Sequence, residues 1–180
     1  MFSNKLSSNR LFNKALSNRK LLNGLLFQAG WFACVLGGDS IALLAVATVL
    51  LLHGLFFIEY KREWYFIIGM ALAGIVLDSA LTAFGIFLFA IPSLGYIPIW
   101  LACLWFIFAT TFNHSLVWLQ HRLPLAALLG AVSGTGSYYA GTKLAPVALA
   151  DPLWLSILQI SVCWAILMPL LCLLSRRVSV

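Results

Sequence analysis

The chain has very few charged side chains. Only 9% of its 180 residues are Asp, Glu, Lys or Arg, and 63% are hydrophobic, whereas soluble domains carry about 25% charged residues. So few charges cannot cover a water-soluble surface, which excludes an ordinary soluble protein. Because a transmembrane helix needs about 20 apolar residues, this length accommodates six or seven spans and leaves no room for a separate soluble domain.

Motifs for metal binding and for disulfide pairing are absent. The four cysteines, Cys34, Cys103, Cys163 and Cys172, lie in apolar runs, and none belongs to a CxxC pair. Their spacing matches no zinc site. We therefore expect them to pack as small apolar side chains, and we expect neither a metal nor another cofactor.

Signals for nucleotide or nucleic-acid binding are also missing. Residues 136–143 approach a phosphate-binding loop, but Thr142 and Lys143 stand in the wrong order and no strand precedes them. The net charge of +6 is distributed between apolar runs instead of forming one basic face. Neither nucleotides nor nucleic acids are expected as partners, and membrane lipids are.

Long apolar runs dominate what is present. They are separated by short polar or charged segments, and we interpret each run as one transmembrane helix of a compact all-α bundle. The predicted spans cover residues 21–37, 40–58, 64–90, 99–119, 123–144 and 153–175.

Lys and Arg predict the orientation of these six spans. With the N-terminus in the cytoplasm, ten of the 11 Lys and Arg residues fall on the cytoplasmic side and only Lys143 lies outside. Both termini are therefore predicted to be cytoplasmic. Residues 1–20 carry five of these charges and form an arm that is either a basic amphipathic segment on the membrane surface or a disordered tail.

One acidic residue lies well inside a predicted span. Asp78 is costly in hydrocarbon, by about 2.5–3.5 kcal/mol on insertion scales, and its helical neighbours are small or polar. We expect it to fasten two helices through hydrogen bonds or to bind a proton, a cation or a polar solute. The candidate polar core at this depth contains Asp78, Thr82, Thr110, Thr111, Ser137, Tyr138 and Gln159.

A second polar cluster is predicted nearer the cytoplasm. It consists of Asn23, Gln28, His53, Asn113 and His114. The two histidines are placed at matching depth, where they could share a proton. Without a nearby carboxylate they are poor metal ligands, so no metal is expected there. In the fifth span, Gly130-x-x-x-Gly134 predicts either close helix packing or a locally unwound segment beside a cavity.

Several strings together resemble one known family. They are Gln28-x-x-Trp31-Phe32, Gly74-x-x-x-Asp78, the fourth-span segment 98–119 and Ser137-Tyr138. The chain resembles a bacterial family of small polytopic inner-membrane proteins of unknown function, domain of unknown function 2878, over nearly all of residues 21–177. The resemblance implies a bacterial inner-membrane location. Through neighbouring genes for lipid-modifying enzymes, it also implies a role near membrane-lipid modification, but it supplies no catalytic residues.

Three classes of function fit the sequence. The first is a bundle that binds or moves a small or lipid-derived molecule, or a proton, at the polar core around Asp78. The second is an intramembrane enzyme, or an accessory subunit of lipid modification, that uses Asp78 with His53 or His114. The third is a scaffold for lipid-modifying membrane enzymes, in which polar residues only fasten helices. The first is favoured, because an enzyme would gather more acid–base groups at one depth.

Overall fold

The computed structural model describes the backbone of residues 2–90 and 97–178, and within those ranges the side chains from Ser17 onward. The protein is mostly helical. Its helices are α1 (Phe2–Phe56), α2 (Arg62–Ala83), α3 (Ile99–Ala109), α4 (Leu123–Leu129), α5 (Thr135–Leu144) and α6 (Leu153–Arg176). Two short strands, β1 (Phe87–Phe89) and β2 (Val147–Leu149), complete the described elements.

Helix α1 is a hairpin of two helical arms. Gly38 interrupts it with a φ of 65° and a ψ of −170°, a conformation open to glycine and costly for other residues. The arms, residues 2–37 and 39–56, contact each other: a Cβ on Gly30 would lie 3.4 Å from Val49, and Arg19 donates to the Phe56 carbonyl over 3.1 Å. The first two predicted spans therefore form the two arms of one bent helix. That helix also includes residues 2–20, although most side chains of the predicted arm lie outside the described residues.

The third predicted span, residues 64–90, is too long. Helix α2 ends at Ala83 because Gly85 adopts a φ of 75°. The amide of Ile86 then donates to the Leu81 carbonyl, and that of Gly85 to the Thr82 carbonyl, each over 2.9 Å. This is the Schellman arrangement that satisfies the last carbonyls of a helix. Gly85, which the third predicted span places within a helix, therefore ends α2 instead.

An antiparallel pair of strands corrects the purely helical prediction. Phe87, Leu88 and Phe89 pair with Leu149, Ala148 and Val147, respectively. Each strand begins a few residues after a helix ends, β1 after α2 and β2 after α5. The apolar residues at the end of the third run therefore satisfy their backbone groups by pairing with a second strand. No local pattern in either segment indicated this pairing.

The fourth predicted span, residues 99–119, is not one helix. Helix α3 ends at Ala109, where the hydroxyls of Thr110 and Thr111 donate to the carbonyls of Ile107 and Phe108 over 2.7 and 2.6 Å. Turns follow, then a single 3-10 turn at Val117–Leu119. The threonines bond back to the final helical carbonyls and so compete with continuation of the helix.

Side chains compensate the backbone of this interrupted segment. Asn23 donates to the Thr110 carbonyl over 3.2 Å and accepts from the Ser115 amide over 3.3 Å. Gln120 donates to the carbonyl of Phe112 over 3.0 Å. Buried backbone groups outside regular structure need such partners. The two buried amides therefore hold a chain reversal that would otherwise leave polar groups unpaired.

The fifth and sixth runs are helical over the predicted ranges. The fifth contains a π-helical turn, Gly130–Gly134, between α4 and α5. A Cβ on Gly130 would lie 2.6 Å from the carbonyl oxygen of Trp164 in α6. Glycine thus permits close contact between these two helices, and the π-turn lies at that contact.

Three helices are long and apolar enough to cross a membrane. They are the described part of α1 (Ser17–Phe56), α2 and α6. Helix α3 is also apolar but has only 11 residues. Of the predicted architecture, a mainly helical protein with three helices long and apolar enough to span a membrane is confirmed.

Candidate functional site

The carboxyl group of Asp78 lies at a junction of three helices. The side chain is fully buried in α2. Its Oδ1 accepts a hydrogen bond from the Tyr138 hydroxyl of α5 over 2.6 Å, and its Oδ2 accepts one from Nε1 of Trp105 in α3 over 2.7 Å. No Lys, Arg or His of the described part of the chain lies within 4 Å of this carboxyl group. Asp78 is therefore held by two neutral donors from separate helices.

Aromatic packing fixes the two donors. A Cβ on Gly74, one turn before Asp78, would overlap the Trp105 indole, so glycine makes room for that ring. On its other side Trp105 stacks on Trp164, with ring centroids 5.5 Å apart and planes 6° from parallel. Tyr138 stacks on Phe87 of β1 at 4.9 Å. The sheet and α6 thus restrict the side chains that bind Asp78.

The other predicted members of the polar core have separate partners. The Thr82 hydroxyl donates to the backbone carbonyl of Asp78 over 2.8 Å, and Thr110 and Thr111 bond within their own segment as described above. Ser137 accepts a hydrogen bond from Trp31 over 3.0 Å. Of the six side chains predicted to accompany Asp78, only Tyr138 binds its carboxyl group.

Gln159 does not belong to this core. It is exposed on α6, whose buried face follows Ser156, Ile160, Trp164 and Met168 at intervals of four residues. Position 159 falls beside this stripe because the helix repeats every 3.6 residues. Predicted depth in the membrane therefore did not identify the residues of the core, because it does not indicate which face of a helix a residue occupies.

The second cluster brings its two histidines together around a carboxylate. Oε1 of Glu63 lies 2.9 Å from Nε2 of His114 and 3.3 Å from Nε2 of His53, and the imidazole centroids are 5.0 Å apart. His53 and Glu63 are buried, and the His114 side chain is only 10% exposed. The reason for expecting no metal, the lack of a nearby carboxylate, is therefore wrong.

The amides predicted in this cluster have hydrogen bonds or surroundings of their own. Asn23 holds the interrupted segment after α3, and Asn113 accepts a hydrogen bond from Gln120 over 3.1 Å. Gln28 is exposed on α1 and lines the cavity described below.

Sequence reasoning missed two residues of these sites, Trp105 and Glu63. Trp105 stands in the middle of an apolar run, away from the span ends where tryptophan anchors are expected. A buried indole N–H needs an acceptor, which was an available signal. Glu63 lies in the charged segment between the second and third predicted spans, but α2 begins at Arg62 and the Glu63 side chain is buried. No pattern around position 63 indicated that direction.

A cavity of about 600 Å3 lies between the first arm of α1, α3, the helical segment 123–144 and α6. Trp105 and Tyr138 form part of its wall, so the donors that hold Asp78 also shape this space. Nine aromatic side chains among the described residues line it: Phe27, Trp31, Phe87, Phe89, Trp100, Trp105, Phe108, Tyr138 and Trp164.

The polar part of the cavity wall is uncharged. Its polar side chains are Gln28, Thr111, Ser115, Ser133, Ser137, Tyr138 and Thr142, and no charged residue of the described chain lines it. Gln28, Ser133 and Ser137 are exposed at its border. There the hydrogen bond from Trp31 to Ser137 connects α1 with α5. This arrangement can surround an apolar molecule and offer hydrogen bonds to a small neutral group.

A comparison with protein-family models confirms the family resemblance. A comparison with curated proteins finds no match, and a comparison with solved structures finds none either. The family model described as "Protein of unknown function (DUF2878)" matches residues 20–170, which is most of the chain and includes Asp78, Glu63 and both histidines. The chain therefore belongs to the DUF2878 family of proteins of unknown function.

Proposed function

We propose that this protein is a multi-pass protein of the bacterial inner membrane that binds an uncharged, lipid-derived molecule in the cavity beside Trp105 and Tyr138. The cavity carries this proposal. Its volume of about 600 Å3 is within the range of about 300–1,000 Å3 typical of sites for small molecules. A scaffold whose polar residues only fasten helices gives no reason for such a space.

Six crossings with cytoplasmic termini remain the proposed topology. The two arms of α1, together with α2 and α6, supply four apolar segments of about 18 residues or more. The helical segment 123–144 supplies a fifth. Helix α3 with the following non-helical segment supplies the sixth. Non-helical backbone is tolerated at membrane depth where protein or a cavity surrounds it, and Asn23 and Gln120 provide that protection here.

The chemistry of the wall restricts the ligand. Because the described lining has no charged residue, a phosphate or an ammonium group would lose its hydration without an opposite charge. Hydroxyl, carbonyl and amide groups would find partners in Ser133, Ser137 or Gln28. An apolar chain would pack against the aromatic rings. These features favour a neutral molecule with one small polar end.

Asp78 positions the wall of this site. Its two oxygens fix Trp105 and Tyr138, which face the cavity, while Asp78 itself does not line it. The intramembrane-enzyme alternative would combine Asp78 with His53 or His114. In the described chain, however, the histidines contact Glu63, and Asp78 contacts neither of them. The lipid-modifying enzymes implied by the family resemblance are the proposed partners, since they would supply or consume the bound molecule.

The test measures lipid that remains bound after purification. The protein is purified in mild detergent, and uncharged lipids are quantified by extraction and mass spectrometry. Ser133→Phe introduces a ring at the cavity border, whereas Val132→Phe places the same ring on the exposed neighbouring position outside the cavity. We expect one neutral lipid class at about one molecule per chain in the wild type and in Val132→Phe, and a clear loss in Ser133→Phe. Equal retention by the two variants would contradict the proposal.

A further inference from the structure

The cluster of His53, Glu63 and His114 is separate from the cavity, since none of its three residues lines that space. We propose that it binds one divalent transition-metal ion of the Zn2+ class through two imidazole nitrogens and one carboxylate. Three separate elements supply the ligands: His53 from the last turn of α1, Glu63 from the first turn of α2, and His114 from the segment after α3.

The spacing of the ligand atoms fits such an ion. One ligand atom from each of the three residues lies within 4.8 Å of the other two. The distances from Glu63 Oε1 to the two Nε2 atoms are 2.9 and 3.3 Å. In a tetrahedral zinc site with bonds of about 2.0–2.1 Å, neighbouring ligand atoms are about 3.3 Å apart. Small adjustments of the side chains therefore place all three atoms around one centre.

Burial and charge provide a second, independent reason. The His53 side chain is completely buried. Its ring nitrogens make no well-aligned hydrogen bond to another described residue, although Nε2 lies 3.3 Å from Oε1 of Glu63. Glu63 is buried as well, and among the described residues only the two histidines offer basic groups within 4 Å of its carboxylate. A buried carboxylate and a buried imidazole that lacks a well-aligned hydrogen bond are both costly. A cation bound between them compensates the negative charge of Glu63 and gives one ring nitrogen of His53 a bonding partner.

The donor types select the class of metal. Two imidazoles with one carboxylate suit zinc and neighbouring first-row ions, whereas Mg2+ and Ca2+ prefer oxygen ligands. Rings surround the site: Phe57 stacks on His53 at 5.9 Å, and Trp64 meets the same imidazole edge-on at 5.9 Å. Three protein ligands leave a fourth position for water or another small ligand.

The experiment measures metal binding directly on the full chain. The protein is purified in detergent through a tag without histidine, stripped with a chelator and titrated with Zn2+, and with Co2+ as a spectroscopic probe. We expect one Zn2+ per chain and the strong visible absorption of tetrahedral Co2+. His53→Gln, Glu63→Gln and His114→Gln should each weaken Zn2+ binding by about tenfold or more. The control is His121→Gln, which alters the exposed third histidine and should bind like the wild type.

Wild-type protein alone decides the question if a ligand variant fails to fold, which size-exclusion chromatography in detergent would reveal. A stripped wild type that takes up no stoichiometric Zn2+ at micromolar free metal overturns the proposal. So does a wild type that binds no more tightly than a folded His53→Gln variant. Neither result affects the cavity proposal, whose readout is bound lipid.

Discussion

Trp105 donates from Nε1 to Oδ2 of Asp78 over 2.7 Å, while its ring occupies the space that Gly74 leaves open one turn earlier in α2. One indole thus provides both a hydrogen-bond donor to a buried carboxyl group and a tight contact between α2 and α3. Because Trp105 also lines the cavity, the packing of α2 against α3 determines the shape of the proposed ligand site.

Substitutions of Asp78 test this relationship. Asp78→Asn retains an acceptor for Trp105 and can donate to the Tyr138 oxygen, so we expect a folded protein of nearly unchanged stability. Asp78→Leu leaves both donors without an acceptor, and each unpaired donor should cost about 1–3 kcal/mol. Thermal unfolding in detergent measures both. An Asp78→Leu protein as stable as Asp78→Asn would show that the two hydrogen bonds do not stabilise the bundle.

Glycine substitutions test the contact between the π-turn and α6. Gly130→Ala places a methyl group 2.6 Å from the Trp164 carbonyl, and backbone atoms cannot move aside cheaply. We expect a lower midpoint of thermal unfolding. The matched control is Gly136→Ala, where a Cβ meets nothing within 4 Å and helix propensity improves by up to about 1 kcal/mol. The prediction fails if Gly130→Ala is at least as stable as the control.

Asn23 should contribute more to stability than Asn18, another asparagine of α1. Asn23→Ala removes the partners of the Thr110 carbonyl and the Ser115 amide, and each unpaired buried group costs about 1–3 kcal/mol. Asn18→Ala changes an exposed side chain and should be neutral. Comparison of their unfolding midpoints checks this. Similar midpoints would mean that the interrupted segment satisfies its backbone without Asn23.

Reporter fusions test the proposed topology. A reporter after Val180 and one within residues 59–63 should report the cytoplasm, because ten of the 11 Lys and Arg residues are predicted on that side. A reporter at Ala148, in β2, should report the opposite side. A cytoplasmic signal at Ala148 would exclude the arrangement with six crossings.

The helical character of the chain follows from apolar run length, but the ends of the runs do not. Two ends depend on hydrogen bonds that hydropathy does not register: the Schellman arrangement at Gly85 and the back-bonding hydroxyls of Thr110 and Thr111. The strand pair depends on contact between segments about 60 residues apart. Hydropathy predicts burial in an apolar medium, whereas these features depend on the path of the backbone.

The candidate sites were likewise predictable only in part. Asp78, Tyr138 and the two histidines were predictable, since ionisable or polar groups at membrane depth require partners. The identities of those partners were not. Whether Trp105 or Thr110 faces Asp78 depends on helix phase and crossing, and Glu63 turns inward only because α2 begins one residue before it.

An experimental structure of the protein in lipid nanodiscs tests the central claim most directly. The account predicts elongated non-protein density between the first arm of α1, α3 and α5, with its polar end near Ser137 and its chain along Trp31 and Trp105. This density should disappear in Ser133→Phe and persist in Val132→Phe. A wild-type cavity that is closed by side chains, or that contains only water, would contradict the proposed binding of a lipid-derived molecule.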